Sequence, residues 1–270
     1  MMNNNQKILV TGGGTFLGDH IAAALLTEGA DVTLLVRPDF DRDLGVLAQR
    51  ATIVTGDVWD VASLRGRARG HRVVIHTVGS LAGDPTQGLT HHRMNFVSAR
   101  NIGTMCVGDG VSEMILMSSV RAPWISRPYI GAKREAEDYL QRVGIKTTII
   151  RAPIAYVRGQ KRVFFFELMT FLGSIPILSW LRFGRIAPMP VDMLARGVAR
   201  VAINPNRSKM MFYAPDLRRL NNSDETKGRS PLSAMPENPA RNRGEQQDFH
   251  PFELLDDETP FGWIPPDNKN

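Results

Sequence analysis

The sequence lacks three things that would have set its class at once: paired cysteines, a long apolar run and a metal-binding histidine pattern. Its single cysteine, Cys106, cannot form an internal disulfide, and we expect it to be a small core residue. No apolar run approaches the roughly 20 residues that cross a bilayer, and the opening MMNNNQ has no apolar core of the kind found in signal peptides. His91 and His92 are adjacent, and with His71 and His76 they offer no metal-ligand spacing. These absences predict a protein of a reducing compartment without a metal site.

Charge is divided unevenly along the chain. The 270 residues carry a formal net charge of +6, yet residues 221–270 hold ten acidic against five basic residues, so residues 1–220 are about +11. A basic body attracts anionic lipid, nucleic acid or acidic proteins, and charge alone does not choose among them. The sequence shows no arrayed aromatic residues and no known nucleic-acid-binding module, so no nucleic acid partner is expected.

Short apolar runs rich in β-branched residues alternate with longer amphipathic segments as far as residue 152. The runs predict strands at KILVTG, DVTLLV, ATIVTG, RVVIHTVG, EMILMSS and KTTIIRA, and helices are expected at Phe16–Glu28, Val61–Arg67, Leu89–Val107 and Pro128–Val143. Continuous apolar runs are typical of parallel strands buried on both faces. The sequence therefore predicts an α/β fold with a doubly wound parallel sheet, which binds its ligand at the carboxyl ends of the strands.

Two later segments break this alternation. Residues 163–183 are apolar but contain Glu167, Gly173 and Pro176, so we expect a lid or substrate region over about residues 158–187 rather than a spanning helix. Residues 221–270 hold seven of the seventeen prolines, and their polar composition predicts an extended tail. We therefore divide the chain into a ligand-binding α/β domain with its lid at 1–220 and an acidic, proline-rich tail at 221–270.

A glycine cluster lies between the first predicted strand and the first predicted helix, in KILVTGGGTFLG. Bare backbone amides at a helix N-terminus attract a pyrophosphate, although a glycine cluster can also be only a tight turn. The segment resembles the TGxxGxxG fingerprint of extended and atypical short-chain dehydrogenases, with Thr15 at its middle glycine. Gly14 can absorb the backbone adjustment that the Thr15 side chain requires. The predicted phosphate-binding residues are Thr11, Gly12, Gly14, Thr15, Phe16, Leu17 and Gly18.

Further cofactor contacts follow from the ends of the next strands. Arg37 ends the second strand, where a guanidinium suits a 2′-phosphate, so NADP(H) is favoured over NAD(H); a solvated surface arginine is the alternative. The resemblance implies that Asp57, with Val58, contacts the adenine amine, although Asp57 could instead cap a turn. It also implies that Thr77, Val78 and Gly79 pass beneath the ribose and pyrophosphate.

A tyrosine and a lysine form a YxxxK pair in PYIGAKREAEDYL. Tyr129 and Lys133 are one turn apart on a predicted helix after the fifth strand, where the short-chain dehydrogenases keep their catalytic tyrosine and lysine. We expect the lysine ammonium to lower the pKa of the phenol, so that Tyr129 acts as acid or base in hydride transfer. Ser119, or else Ser118, would bind the substrate carbonyl. The alternative is that Tyr129 only packs and Lys133 only binds the cofactor ribose.

Several segments carry a closer resemblance over roughly residues 6–205: VVIHTVGSL, MNFVSARNI, TTIIRAPIAYVRG and IAPMPVDMLARGVARVAI. They are similar to the atypical short-chain dehydrogenase group that contains the NADPH-holding accessory subunit of mitochondrial respiratory complex I and related coenzyme Q biosynthesis proteins. Asn95 matches the helix asparagine of that superfamily, whereas Arg151–Pro153 reads RAP in place of the usual RPG.

That group implies a cofactor held for structure or for a slow reaction, in an accessory or assembly protein of quinone and respiratory-chain metabolism. A quinone or isoprenoid lipid, respiratory-complex subunits and an anionic membrane surface are the partners it implies, in the bacterial cytoplasm or the mitochondrial matrix, peripheral to the inner membrane. The apolar stretch could sink into such a surface while its basic neighbours meet headgroups, or it could be a buried lid. Those neighbours are Arg158, Lys161, Arg162, Arg182 and Arg185. The alternative function is an active NADPH-dependent reductase or epimerase of a hydrophobic carbonyl compound.

Overall fold

The computed structural model describes residues 6–38, 44–81, 83, 85, 88–158 and 184–228. Most of the predicted lid and all of the tail beyond Gly228 lie outside these residues. So do Asp39, Asp41 and Asp43, which follow the second strand.

The core is a parallel sheet of seven strands in the order β3-β2-β1-β4-β5-β6-β9. The strands are β1 (Lys7–Thr11), β2 (Asp31–Val36), β3 (Thr52–Thr55), β4 (Val73–His76), β5 (Glu113–Ser119), β6 (Lys146–Ala152) and β9 (Met211–Tyr213). Two further short strands, β7 (Ala155–Tyr156) and β8 (Met189–Pro190), pair with each other in a separate small sheet. The predicted doubly wound sheet is confirmed, and it gains a seventh strand that the sequence analysis missed.

Helices cover both faces of the sheet. In chain order they are α1 (Phe16–Thr27), α2 (Val46–Arg50), α3 (Val61–Leu64), a π-helical turn at Arg93–Val97 that continues as α4 (Ser98–Gly108), α5 (Arg127–Arg142), α6 (Gly184–Ile186), α7 (Val191–Ile203), α8 (Ala214–Arg219) and α9 (Ser223–Thr226). Alternate residues of β1 show the two layers. Ile8 and Val10 belong to a core shared with α1 and α7, whereas Leu9 belongs to a core shared with α4 and α5.

The end of the described chain packs onto this body. In α9, Glu225 is 8% exposed and forms an ion pair with Arg200 of α7 at 2.6 Å. This first part of the predicted tail, residues 221–228, therefore contacts the folded body through Glu225. The division of the chain at residue 220 stays a prediction. Among the described residues, no helix is both long and apolar enough to cross a membrane.

The order of the strands reverses between β1 and β4. The loops that follow these two strands leave the sheet in opposite directions, which opens a crevice at the carboxyl ends of the strands. The glycine cluster follows β1 and Thr77–Gly79 follow β4, so the fold brings both predicted segments to this crevice.

Candidate functional site: a dinucleotide crevice

The glycine loop makes a tight turn between β1 and α1. Gly12 has φ +74°, and a Cβ there would lie 2.7 Å from Oγ1 of Thr77. A Cβ on Gly18 would overlap the carbonyl oxygen of Gly12, so the helix crosses the loop at backbone contact distance. Both positions require glycine for a physical reason, and the loop is held close to the end of β4.

Thr15, at the position of the fingerprint's middle glycine, turns its hydroxyl inward. Its Oγ1 donates to the Gly12 carbonyl at 2.6 Å and accepts from the Gly18 amide at 3.2 Å, and the residue is 4% exposed. Thr15 is thus the N-cap of α1. The amides of Phe16 and Leu17 follow in the first turn, where no preceding helical carbonyl can accept from them. The loop therefore fits a phosphate group.

Buried hydrogen bonds fix the floor of the crevice. Thr11 Oγ1 contacts Nδ1 of His76 at 3.0 Å and accepts from the Thr77 amide at 3.2 Å, while Thr77 Oγ1 donates to the Thr11 carbonyl. Burial lowers the pKa of His76 to about 3, so the ring is neutral in this network. Val78 is fully buried. Thr11 and Thr77 therefore shape the crevice indirectly, because their hydrogen bonds hold the ends of β1 and β4 together.

Arg37 and Asp57 stand at the ends of β2 and β3. Arg37 follows β2 directly and is partly buried. Oδ1 of Asp57 accepts from the Trp59 amide at 2.8 Å, which is the turn-capping role that the sequence allowed. Burial raises the pKa of Asp57. Val58 is fully buried, and its carbonyl accepts from Asn101 of α4 at 2.9 Å.

Ser119, Tyr129 and Lys133 meet where β5 ends and α5 begins. Tyr129 and Lys133 are 7% and 4% exposed, and Lys133 Nζ lies 5.8 Å from the centre of the Tyr129 ring. The Ser119 hydroxyl donates to the Val120 carbonyl at 3.1 Å and lies close enough to Tyr129 to favour its phenolate, whereas Ser118 donates to Glu137 at 2.5 Å. Of the two serines proposed from the sequence, Ser119 is the one beside the tyrosine.

The expected lowering of the tyrosine pKa is wrong. Burial raises the pKa of Tyr129 to about 12 and outweighs the lowering by Ser119 and Arg134. Burial also lowers the pKa of Lys133 to about 8. The Lys133 ammonium donates to the Met117 carbonyl at 3.0 Å. The spacing along the helix predicted that Tyr129 and Lys133 lie close together. It did not predict that both are buried, and burial decides the direction of both pKa shifts.

Asn95 joins this group through the π-helical turn. It is fully buried, its Oδ1 accepts from the Ser80 amide at 3.1 Å, and its amide donates to the carbonyls of Ser80 and His91. A Cβ on Gly79 would lie 2.6 Å from Asn95 Oδ1 and 2.7 Å from Lys133 Nζ. Asn95, Lys133 and the strand end after β4 therefore converge on one point.

A cluster of charged residues beneath the site was not foreseen. Glu137, 2% exposed and one turn beyond Lys133 in α5, forms ion pairs with Arg134 and with Arg151 of β6. Arg134 also donates to the Ser119 carbonyl at 2.7 Å. This cluster fixes the backbone of Ser119 to the helix that carries Tyr129. Pairs that join a helix to a strand leave no pattern in local sequence, so only the fold reveals them.

A carboxyl group in the first turn of α1 was also missed. Oδ1 of Asp19 accepts from the amide of Gly14 at 2.8 Å, inside the predicted phosphate loop. Burial raises the pKa of Asp19 to about 7. The residue follows the fingerprint directly, but the sequence does not show that its side chain folds back onto the loop.

Two basic residues of the predicted lid have partners within the fold. Arg158 pairs with Asp192 of α7 at 3.2 Å and donates to the Thr226 carbonyl at 3.0 Å, and the Arg185 guanidinium lies 4.6 Å from the centre of the Tyr213 ring. For Arg158 these contacts favour the lid over headgroup contact, the two alternatives that the sequence left open, because Asp192 and α9 hold its guanidinium. Lys161, Arg162 and Arg182 lie outside the described residues. In the described ranges, no group of acidic, histidine or cysteine residues could hold a metal.

Comparison with known proteins identifies the family. Residues 12–163, more than half of the chain, match the family model described as NAD(P)H-binding. A ceramide reductase of Caulobacter vibrioides is 31% identical over 192 residues, and human 3 beta-hydroxysteroid dehydrogenase type 7 is 32% identical over 120 residues. These matches cover 68% and 42% of this chain but only 57% and 32% of the relatives, so the chain spans less than two thirds of either.

Solved structures show the same fold. The Bordetella bronchiseptica enzyme WbmG in complex with NAD and UDP superposes with a TM-score of 0.56 at 15% identity, covering 78% of this chain and 74% of that one. The family model spans the glycine loop, the floor of the crevice and the Ser119, Tyr129 and Lys133 group. The chain belongs to the NAD(P)H-binding, short-chain-dehydrogenase-like family of Rossmann-fold proteins.

Proposed function

We propose that this protein is an NAD(P)H-dependent reductase of a carbonyl group in a hydrophobic substrate. The observation that carries the proposal is the meeting of Ser119, Tyr129 and Lys133 beside the crevice. The ceramide reductase and the hydroxysteroid dehydrogenase among the relatives support the choice of a lipid-like substrate. An epimerase is the alternative within the same chemistry.

Each residue has a role in this proposal. The loop from Thr11 to Gly18 holds the dinucleotide diphosphate, and Asp57, Val58 and Thr77–Gly79 line the adenosine side. The substrate carbonyl carbon would receive the hydride that a bound dinucleotide supplies. Ser119 donates a hydrogen bond to the carbonyl oxygen, and Tyr129 gives that oxygen a proton. A phenol with a pKa raised to about 12 is protonated at neutral pH, which suits a proton donor in the reductive direction. Lys133 lies between the phenol and the crevice and binds the nicotinamide ribose.

The test is a turnover assay with NADPH and a panel of long-chain ketones and aldehydes. Replacing Tyr129 with Phe should lower kcat by about 10²-fold or more and leave NADPH affinity unchanged, because only the proton donor is lost. Tyr139→Phe is the matched control, since Tyr139 lies on the same helix with its ring against Phe96. A Tyr129→Phe protein that reduces the same ketone at the wild-type rate would remove Tyr129 from the chemistry.

We also propose that NADP(H) is preferred over NAD(H). Arg37, directly after β2, stands where a 2′-phosphate would need a cation. Replacing Arg37 with Ser should weaken NADPH binding about tenfold and NADH binding much less, measured by titration of the nicotinamide fluorescence. Equal loss for both nucleotides would contradict this preference.

The second candidate is an accessory or assembly role in quinone or respiratory-chain metabolism, in which the nucleotide only stabilises the fold. The deep burial of Tyr129 favours it, since a buried phenol with a raised pKa also suits a packing role. In that case Tyr129→Phe would leave cellular function intact. Peripheral membrane binding belongs to this candidate, and absence of flotation with anionic vesicles at low salt would exclude it.

A further inference from the structure

Asp19 puts a negative charge where the glycine loop should receive a phosphate. Its carboxyl oxygen already accepts the Gly14 amide at 2.8 Å, so one amide of the loop is occupied by the chain itself. Among the described residues, the ion pairs do not include Asp19. Burial and the Gly14 amide are the influences on its pKa, and burial is the larger.

Several charged groups lie on the described elements around α1. On α7, Asp192 faces His20 and binds Arg196 at 2.6 Å, and Arg200 binds Glu28 at 2.7 Å. The other charged side chains of these described elements are Lys7 and Asp31 at the amino ends of β1 and β2, Arg50 of α2, and Arg37, which follows β2 at the same edge of the sheet as the glycine loop. Burial lowers the pKa of His20, so this ring is neutral at pH 7 and brings no positive charge to α1.

Two anions cannot share this loop without cost. The free amides and the N-terminus of α1 favour a single negative charge, and the Asp19 carboxylate supplies it in the free protein. A dinucleotide brings phosphate oxygens to the same amides. A like charge at close range disfavours ionisation of a carboxyl group, so the bound phosphate favours the protonated form of Asp19.

We propose that Asp19 couples dinucleotide binding to the uptake of one proton. The proton comes from solvent and goes to the Asp19 carboxylate, and the neutral carboxyl group remains beside the phosphate as a hydrogen-bond partner. This rests on the proposed function of the loop as a dinucleotide site. The phosphate concerned is either the diphosphate, common to both nicotinamide dinucleotides, or the 2′-phosphate of NADP(H).

The coupling has a definite direction with pH. Because the carboxyl group of the free protein titrates with a pKa of about 7, most molecules are already protonated below pH 6 and bind at full affinity. Above pH 7 the protonated fraction falls about tenfold per pH unit, and the apparent affinity falls with it. We expect dinucleotide binding at pH 8 to be about tenfold weaker than at pH 6.

The test is calorimetry of the full chain with NADH at pH 8, in two buffers with different ionisation enthalpies. The wild-type protein should take up close to one proton per NADH bound. The Asp19→Asn protein should take up none and bind about tenfold more tightly at this pH, because a neutral amide replaces the charge. Asp138→Asn, the same substitution at an exposed position of α5, should behave like the wild type.

A second arm repeats the titrations with NADPH. If Asp19 faces the diphosphate, the substitution improves both affinities alike; if it faces the 2′-phosphate, it improves only that of NADPH. The proposal would be overturned if the binding enthalpy of the wild type were the same in both buffers and the affinity of Asp19→Asn were unchanged. The buffer dependence of the wild type decides it even if the variant does not fold. Failure of both nucleotides to bind at pH 6 would instead refute the loop as a dinucleotide site, and with it this coupling.

Discussion

Glu137 is a buried carboxyl group and Asp19 a partly buried one, and their surroundings differ. Glu137 lies beneath the site between Arg134 and Arg151, and also accepts from Ser118. Asp19 lies at the glycine loop with a backbone amide as its hydrogen-bond partner. The two arginines neutralise the charge of Glu137 within the protein. The charge of Asp19 has no such partner among the ion pairs of the described residues, so its ionisation depends on pH and on what binds in the crevice. This difference separates a carboxylate that holds the fold together from one that senses a ligand.

The largest loss of stability is expected from removing the Glu137 carboxylate. Glu137→Ala should lower the free energy of unfolding by about 3–5 kcal/mol, because it leaves two arginines without their buried partner. Glu135→Ala, on the same helix but with a side chain 46% exposed, should cost less than about 1 kcal/mol. Urea denaturation followed by circular dichroism measures both. Similar decreases in the free energy of unfolding for the two variants would show that the ion pairs of Glu137 contribute no more to stability than an exposed glutamate does.

A smaller loss of stability, together with a complete loss of NADPH binding, is expected from adding a side chain at Gly18 of the glycine loop. Gly18→Ala forces a Cβ against the Gly12 carbonyl and should cost about 1–3 kcal/mol. It should also abolish NADPH binding, because the loop must move to relieve the overlap. Gly131→Ala adds a methyl group in open space on α5 and should be neutral or slightly stabilising. NADPH bound by Gly18→Ala with wild-type affinity would contradict the loop as the phosphate site.

The smallest effect concerns Asp19 and depends on pH. Its pKa in the folded protein, about 7, is above the ordinary value of 3.8, so the stability it contributes is present below pH 4 and is lost as the pH rises to 7. Because Asp19 is partly exposed and solvent screens its charge, Asp19→Asn should be more stable than the wild type by about 1–2 kcal/mol at pH 8, less than the full pKa difference corresponds to, and equally stable at pH 4. Thermal unfolding at the two pH values checks this. An advantage of the same size at pH 4 would mean that charge is not its cause.

The sequence predicted the parts of this fold that depend on local pattern. The bounds of β2, β5 and β6 match the predicted runs, and α1 and α5 match to within a residue or so, because long apolar periodicity and caps such as Ser126 are local. β9 was missed because three residues are too few for a pattern. α2 was missed for a similar reason, since it has a single turn and no side-chain cap.

The candidate site divides in the same way. The glycine loop and the Tyr129 and Lys133 pair were visible as motifs, since their spacing has a geometric meaning. The roles of Glu137 and Asp19 were not visible, because they depend on where side chains turn in three dimensions. The direction of the Tyr129 pKa was wrong for the same reason: spacing places an ammonium nearby, but burial decides the sign.

The π-helical turn at Arg93–Val97 has a consequence for how this site can change. One additional residue in a turn rotates everything before it by about 100° relative to a regular helix. His91, whose ring lies edge-on to Tyr129, therefore occupies a different face from Ile102 and Cys106, which pack against the sheet. Substitutions in the segment before the turn can therefore change the surroundings of Tyr129 while the packing of α4 is preserved. Deleting one residue within Arg93–Val97 would convert the π-helical turn to a regular helix and rotate His91 away from Tyr129.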